Sequence, residues 1–175
     1  SSCSRNKSKA ALGESADQTW QPMRSNIRRP VHKTGSSSST INTRQCGIAC
    51  GAGDNHFWRA YTLALANPLT ITGVRFGVEV NGTAQVATVK VYTSAGAFPG
   101  GTRTQVASQT VNLTTAAATF YTVNFATPAV VAANAVVAIE IDVPTGGMWP
   151  GANTLGESAP SYISSATCGV AAPVT

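Results

Sequence analysis

Residues 46–175 predict an all-β domain, an antiparallel β-sandwich of jelly-roll type with seven or eight strands. Three observations predict it. Apolar and polar residues alternate with period two in four separate runs. Turn residues punctuate those runs at short intervals, and no stretch carries the 3.6-residue apolar period of an amphipathic helix. Strict alternation buries one face of a strand and wets the other, which is the habit of antiparallel sheets. A closed barrel is the second architecture that this pattern allows.

The first run sets Val74, Phe76, Val78 and Val80 on one face and Arg75, Gly77 and Glu79 on the other. In the second, Ala87, Val89 and Val91 alternate with Thr88, Lys90 and Tyr92. Tyr121, Val123 and Phe125 alternate with Thr122 and Asn124, and Val137, Ile139, Ile141 and Val143 with Ala138, Glu140 and Asp142. Asn67-Pro68, Asn81-Gly82, Phe98-Pro99-Gly100-Gly101, Thr127-Pro128 and Pro144-Thr145-Gly146-Gly147 mark turns between strands. The alanine triplet within 114–119 is too short for a helix between two strands and reads as a turn.

The N-terminal stretch is different. Residues 1–45 hold eight of the twelve Lys and Arg but only two acids, Glu14 and Asp17, whereas residues 46–175 carry a net charge of −1. Their apolar residues are isolated and follow neither period, and Gly35-Ser36-Ser37-Ser38-Ser39-Thr40 has a linker composition. The reading is a disordered basic leader with a Ser-rich linker ahead of the domain. Trp20 is its only aromatic residue, so the stretch lacks the ring-and-charge interleaving of a nucleic-acid-binding arm, and no nucleic-acid partner is expected. No run approaches the ~18 apolar residues that would cross a bilayer, so no membrane insertion is expected either. Because the chain opens at Ser1 without Met, it reads as a fragment or a processed product.

Cysteines stand at positions 3, 46, 50 and 168. Cys46-Gly-Ile-Ala-Cys50 has the look of half a zinc site, but the domain supplies no second ligand pair. A disulfide fits better: Cys46 or Cys50 with Cys168, joining the start of the domain to its end, or Cys46 with Cys50 across three residues. Spacing does not choose among these pairings. Disulfides imply an oxidising compartment, so the domain is expected outside the cell or on its surface.

The order of several motifs resembles a module of bacterial secreted multidomain proteins. The residues carrying it are 54–61 (DNHFWRAY), 72–79 (TGVRFGVE), 89–92 (VKVY) with 97–101 (AFPGG), 149–153 (WPGAN), 159–163 (APSYI) and Cys168-Gly169. The resemblance spans about residues 46–173. Such modules sit beside hyalin-type or immunoglobulin-like repeats in long extracellular chains. The resemblance implies a β-sandwich without assigned enzymatic activity, with neighbouring domains as its partners. It also implies a further strand beyond Thr175, so the domain is expected to lack an edge here.

The residues themselves offer few routes to chemistry. Glu140 and Asp142 share one face of a strand, about 6.5–7 Å apart. Laminarinase-type hydrolases use Glu-x-Asp-x-Glu on such a strand, and here Pro144 stands where the second Glu would be. The pair is therefore read as a solvated face that meets Arg59 or Arg75. His56 is the domain's one histidine, without a Gly-x-Ser-x-Gly elbow to serve, and it reads as a surface residue. Gly51-Ala52-Gly53 opens no helix, so cofactor binding has no support. Asp54 and Asn55 are candidate calcium ligands, set against a turn-capping role for Asp54. Trp58, Trp149 and Tyr162 are candidates for a sugar-stacking platform, set against core packing of the tryptophans. The sequence thus predicts a non-catalytic structural or adhesive module whose partner is a glycan or cell-surface ligand. The alternative is a carbohydrate-binding or carbohydrate-acting domain.

Overall fold

The computed structural model describes residues 25–28 (as backbone), 53–151 and 159–175. The leader's remaining residues, the Ser-rich linker, the domain boundary near residue 45, Cys46 and Cys50 lie outside them. The described residues form strands and turns only. Strand β1 is Ser25–Arg28, β2 Asn55–Thr62, β3 Leu69–Asn81, β4 Gln85–Ala95 and β5 Thr102–Leu113. They are followed by β6 Ala116–Val131, β7 Val136–Val143, β8 Met148–Pro150, β9 Ser161–Ser165 and β10 Val170–Val174. All pairings are antiparallel, in two sheets. One sheet runs β10-β9-β2-β7-β4-β5; the other runs β1-β3-β6, with β8 also on β3. The predicted sandwich is the fold. Its surplus over seven or eight strands comes from short pieces such as β1 and β8, which carry too few residues to show a period.

The two sheets bury their apolar faces against each other. Leu69, Ile71, Val74, Phe76, Val78, Val123 and Phe125 come from one sheet, and Val89, Val91, Ile139, Ile141 and Val143 from the other. The buried set of β3 changes parity partway, from Leu69 and Ile71 to Val74, Phe76 and Val78. Opposite β1 the ladder steps from Asn26↔Gly73 to Ile27↔Ile71, so β3 carries one extra residue there, and that bulge turns the strand over. Glycine is required there: a Cβ on Gly73 would lie 2.5 Å from the Val123 carbonyl oxygen. Val80, expected inward with Val74, is instead 42% exposed beside β8.

Thr127-Pro128, expected as a turn, lies inside β6. The β3–β6 ladder jumps from Ile71↔Ala129 to Gly73↔Asn124, so the segment around Pro128 sits out of register. Among the described residues β6 pairs only with β3 and forms a sheet edge, where a residue without N–H is tolerated.

At one end of the sandwich a buried amide ties the turns together. Asn81 Nδ2 donates to the Thr114 carbonyl at 2.8 Å, and its Oδ1 accepts from Gln85 Nε2 at 3.1 Å. Gln85 Oε1 in turn accepts from the backbone N–H and hydroxyl of Thr145. Among the described residues no helix is long and apolar enough to cross a membrane.

Candidate functional site

The side chains with chemical potential gather on the outer face of the six-stranded sheet. Register puts them in rows. Trp58 lies between Tyr162 on β9 and Glu140 on β7, and Glu140 faces Lys90 on β4. One row along, His56 lies between Ser164 and Asp142. Period two makes each strand contribute alternate residues to this face, so Glu140 and Asp142 share it as the sequence predicted.

Their partners are not the predicted arginines. Arg59 shares the inward parity of Phe57 and Tyr61 and lies 6.0 Å from the Tyr61 ring centre. Arg75 belongs to the other sheet and stacks on Phe120 at 4.6 Å. Lys90 Nζ reaches Asp142 Oδ2 at 2.7 Å and Glu140 Oε2 at 3.6 Å. Tyr92 donates its hydroxyl to Glu140 Oε2 at 2.6 Å. His56 Nδ1 lies 2.6 Å from Glu140 Oε1 and 3.5 Å from Asp142 Oδ1, and Nε2 lies 3.2 Å from Asp54 Oδ2. His56 is thus part of a network linking β2, β7 and β4, an outcome that the surface reading missed.

Protonation states follow the contacts. Burial and then the hydrogen bond to Glu140 push the Tyr92 hydroxyl well above the usual phenol range. Burial works against charge on Lys90, but its hydrogen bond to Asp142 and the charges of Glu140 and Asp142 outweigh that and raise it. Asp54 is held far below the ordinary carboxylate range, first by the Thr167 hydroxyl and then by the Thr167 N–H.

Asp54 spends its carboxylate on the β9–β10 turn. Oδ1 accepts from Thr167 Oγ1 at 2.5 Å and from Thr167 N at 3.1 Å, and Oδ2 from Ala166 N at 3.2 Å. Asn55 is buried with Nδ2 on the Gly53 carbonyl at 3.1 Å. These contacts match the capping role weighed for Asp54. The cation-type grouping among the described residues is instead His56, Glu140 and Asp142.

An aromatic roof covers the other half of the face. The β4–β5 loop folds back over the sheet and places Phe98 5.8 Å from Trp58 and 4.9 Å, edge-on, from Tyr162. Tyr92 lies 5.5 Å from Trp58. The Arg103 guanidinium sits 5.0 Å from the Trp58 ring centre and 5.6 Å from that of Phe98. Trp58 Nε1 donates to Ser164 Oγ at 2.9 Å. Beneath the roof Ala138 is fully buried and Glu140 only 2% exposed, although both sit on an outward face. The loop can make this return because Gly101 has no side chain; a Cβ there would run into Ser94 Oγ and the Ala95 carbonyl.

Of the three candidate stacking residues, Trp58 and Tyr162 meet in this roof. Trp149 does not: it lies on β8 of the other sheet, opposite Val80 and 37% exposed. Trp58 is 8% exposed yet stands apart from the core between the sheets. Phe98, Tyr92 and Arg103 escaped the sequence reading; the Phe-Pro-Gly-Gly signal marked a turn but not its direction. Cys168 lies in the β9–β10 turn and is disulfide-bonded.

No protein-family model, curated protein or solved structure matches this chain.

Proposed function

We propose that the chain carries a non-catalytic structural or adhesive β-sandwich module of a larger secreted bacterial protein. One observation carries the non-catalytic part. Both oxygens of Glu140, the carboxylate best placed for glycoside chemistry, are engaged by His56 and Tyr92 beneath an aromatic roof. A general acid needs access to its leaving group; this one cross-links strands. The disulfide at Cys168 supports an oxidising compartment, and Cys46 or Cys50 is its proposed partner. The test is release of reducing ends from a panel of β-glucans, chitin and pectins. No turnover is expected from the chain, and hydrolysis lost on Glu140→Gln would overturn the reading.

Carbohydrate binding is the second reading, favoured by the convergence of Trp58, Phe98 and Tyr162 on one sheet face. Glycan-array binding that disappears on Tyr162→Ala but survives Trp149→Ala would establish it. Loss on Trp149→Ala alone would move the ligand to the other sheet.

A further inference from the structure

We propose that His56, Glu140 and Asp142 bind a divalent cation of the Zn2+ class through His56 Nδ1, Glu140 Oε1 and Asp142 Oδ1. The grouping brings one ligand atom from each residue within 4.8 Å of the others. What distinguishes it from an ordinary acidic surface is how the remaining polar atoms are used. His56 Nε2 is turned to Asp54, Glu140 Oε2 to Tyr92 and Asp142 Oδ2 to Lys90. Each residue is fixed from outside by a different partner and presents its other atom to one common point. Metal-binding histidines and carboxylates are oriented in this way by an outer layer of hydrogen bonds.

The common point is short of positive charge. One imidazole nitrogen carries at most one hydrogen, yet Nδ1 faces a carboxylate oxygen at 2.6 Å and another at 3.5 Å. That hydrogen serves the nearer oxygen and leaves Asp142 Oδ1 aimed at the same place. Asp54, Glu140 and Asp142 put three carboxylates around this point, against the Lys90 ammonium and, over the Trp58 ring, the Arg103 guanidinium, so these fixed charges leave a net negative charge that a bound cation offsets. The two Nδ1–oxygen distances bracket the ~3.3 Å that separates ligand atoms around tetrahedral Zn2+. One nitrogen and two carboxylate oxygens suit zinc and its neighbours, whereas calcium takes six to eight oxygens. His56 and Asp142 each keep about a quarter of their side chain exposed, so water can complete the coordination. The inference is independent of whether the module binds sugars.

His32 and the cysteines can also take up zinc, so the readout must resolve His56. Zn2+ is titrated into the whole oxidised chain while the imidazole nitrogens are followed by long-range 1H–15N NMR. We expect His56 Nδ1 to move to a metal-bound position and saturate, and Ca2+ at equal concentration to leave it in place. In calorimetry His56→Gln should lose this binding component, Asp142→Asn should weaken it about tenfold or more, and His32→Gln should retain it. A His56 ring that stays unmoved while Zn2+ binds elsewhere overturns the proposal. So does an affinity unchanged in both His56→Gln and Asp142→Asn. Near-UV circular dichroism checks that each variant is folded, and the wild-type NMR titration decides if neither is.

Discussion

Glu140 concentrates on one side chain the cost of placing a carboxylate under a roof. Truncation to alanine takes the acceptor from the Tyr92 hydroxyl and one of two carboxylates from Lys90. Removing one partner of a buried charged network costs roughly 3–5 kcal/mol, so urea unfolding of Glu140→Ala should show a loss of that order. Asp54 acts through pH. Its folded-state pKa lies below the ordinary 3.8, so its contribution is complete above that value and is lost as pH falls through and below it. Acid titration in EDTA should therefore find Asp54→Asn less stable at neutrality, with a shallower further loss between pH 4 and 2 than the parent. A parallel acid limb in both proteins would contradict this. Sequence alternation already set Glu140 and Asp142 on one face. It could not supply Lys90 and His56, because those come from strands 50 and 84 residues away in the chain, counted from Glu140, and only sheet order decides who sits alongside.

At the scale of elements, β3, β4 and β6 could be read from alternation because each has one buried and one wetter face, and β7 because Glu140 and Asp142 alternate with its apolar residues, although the aromatic roof buries most of that second face. Beyond Phe125 β6 resisted, because Pro128 signals a turn wherever it stands, and an edge position lets a strand absorb it. The β4–β5 loop resisted for another reason: its four turn residues describe the bend but not the ring packing that holds it down. That packing can be measured. Phe98→Ala should cost about half of the ~3–5 kcal/mol lost when a fully buried phenylalanine is truncated, since the ring is half-buried. Trp58 fluorescence should shift to the red as water reaches the indole. Unchanged emission with unchanged stability would mean that the roof is not a packed element.

For the whole molecule, composition and turn spacing were enough to predict two packed sheets. What they could not predict is that Ser25–Arg28, within the basic leader, pairs with β3 as β1. Four polar and apolar residues in mixed order carry no periodic signal; the pairing with residues 70–74 of β3 is what makes them a strand. The proposed closure of the domain, a bond from Cys168 to Cys46 or Cys50, would span roughly 120 residues and be worth about 4–5 kcal/mol in loop entropy. Peptide mapping without reductant should recover that pair, and dithiothreitol should lower the unfolding midpoint accordingly. Recovery of Cys168 joined only to Cys3 would refute the closure.

The buried Asn81 amide has a consequence for how the protein can be made. Asn81-Gly82-Thr83 and Asn112-Leu113-Thr114 are both acceptor sequences for N-linked sugar. Asn112 is exposed on β5, whereas Asn81 is 1% exposed with its nitrogen already donated to Thr114. A glycan added to the nascent chain at Asn81 would occupy the nitrogen that ties the turns and could not fit the folded end of the sandwich. In a glycosylating host, secreted material should therefore carry sugar at Asn112 alone, and Thr83→Ala should raise the yield.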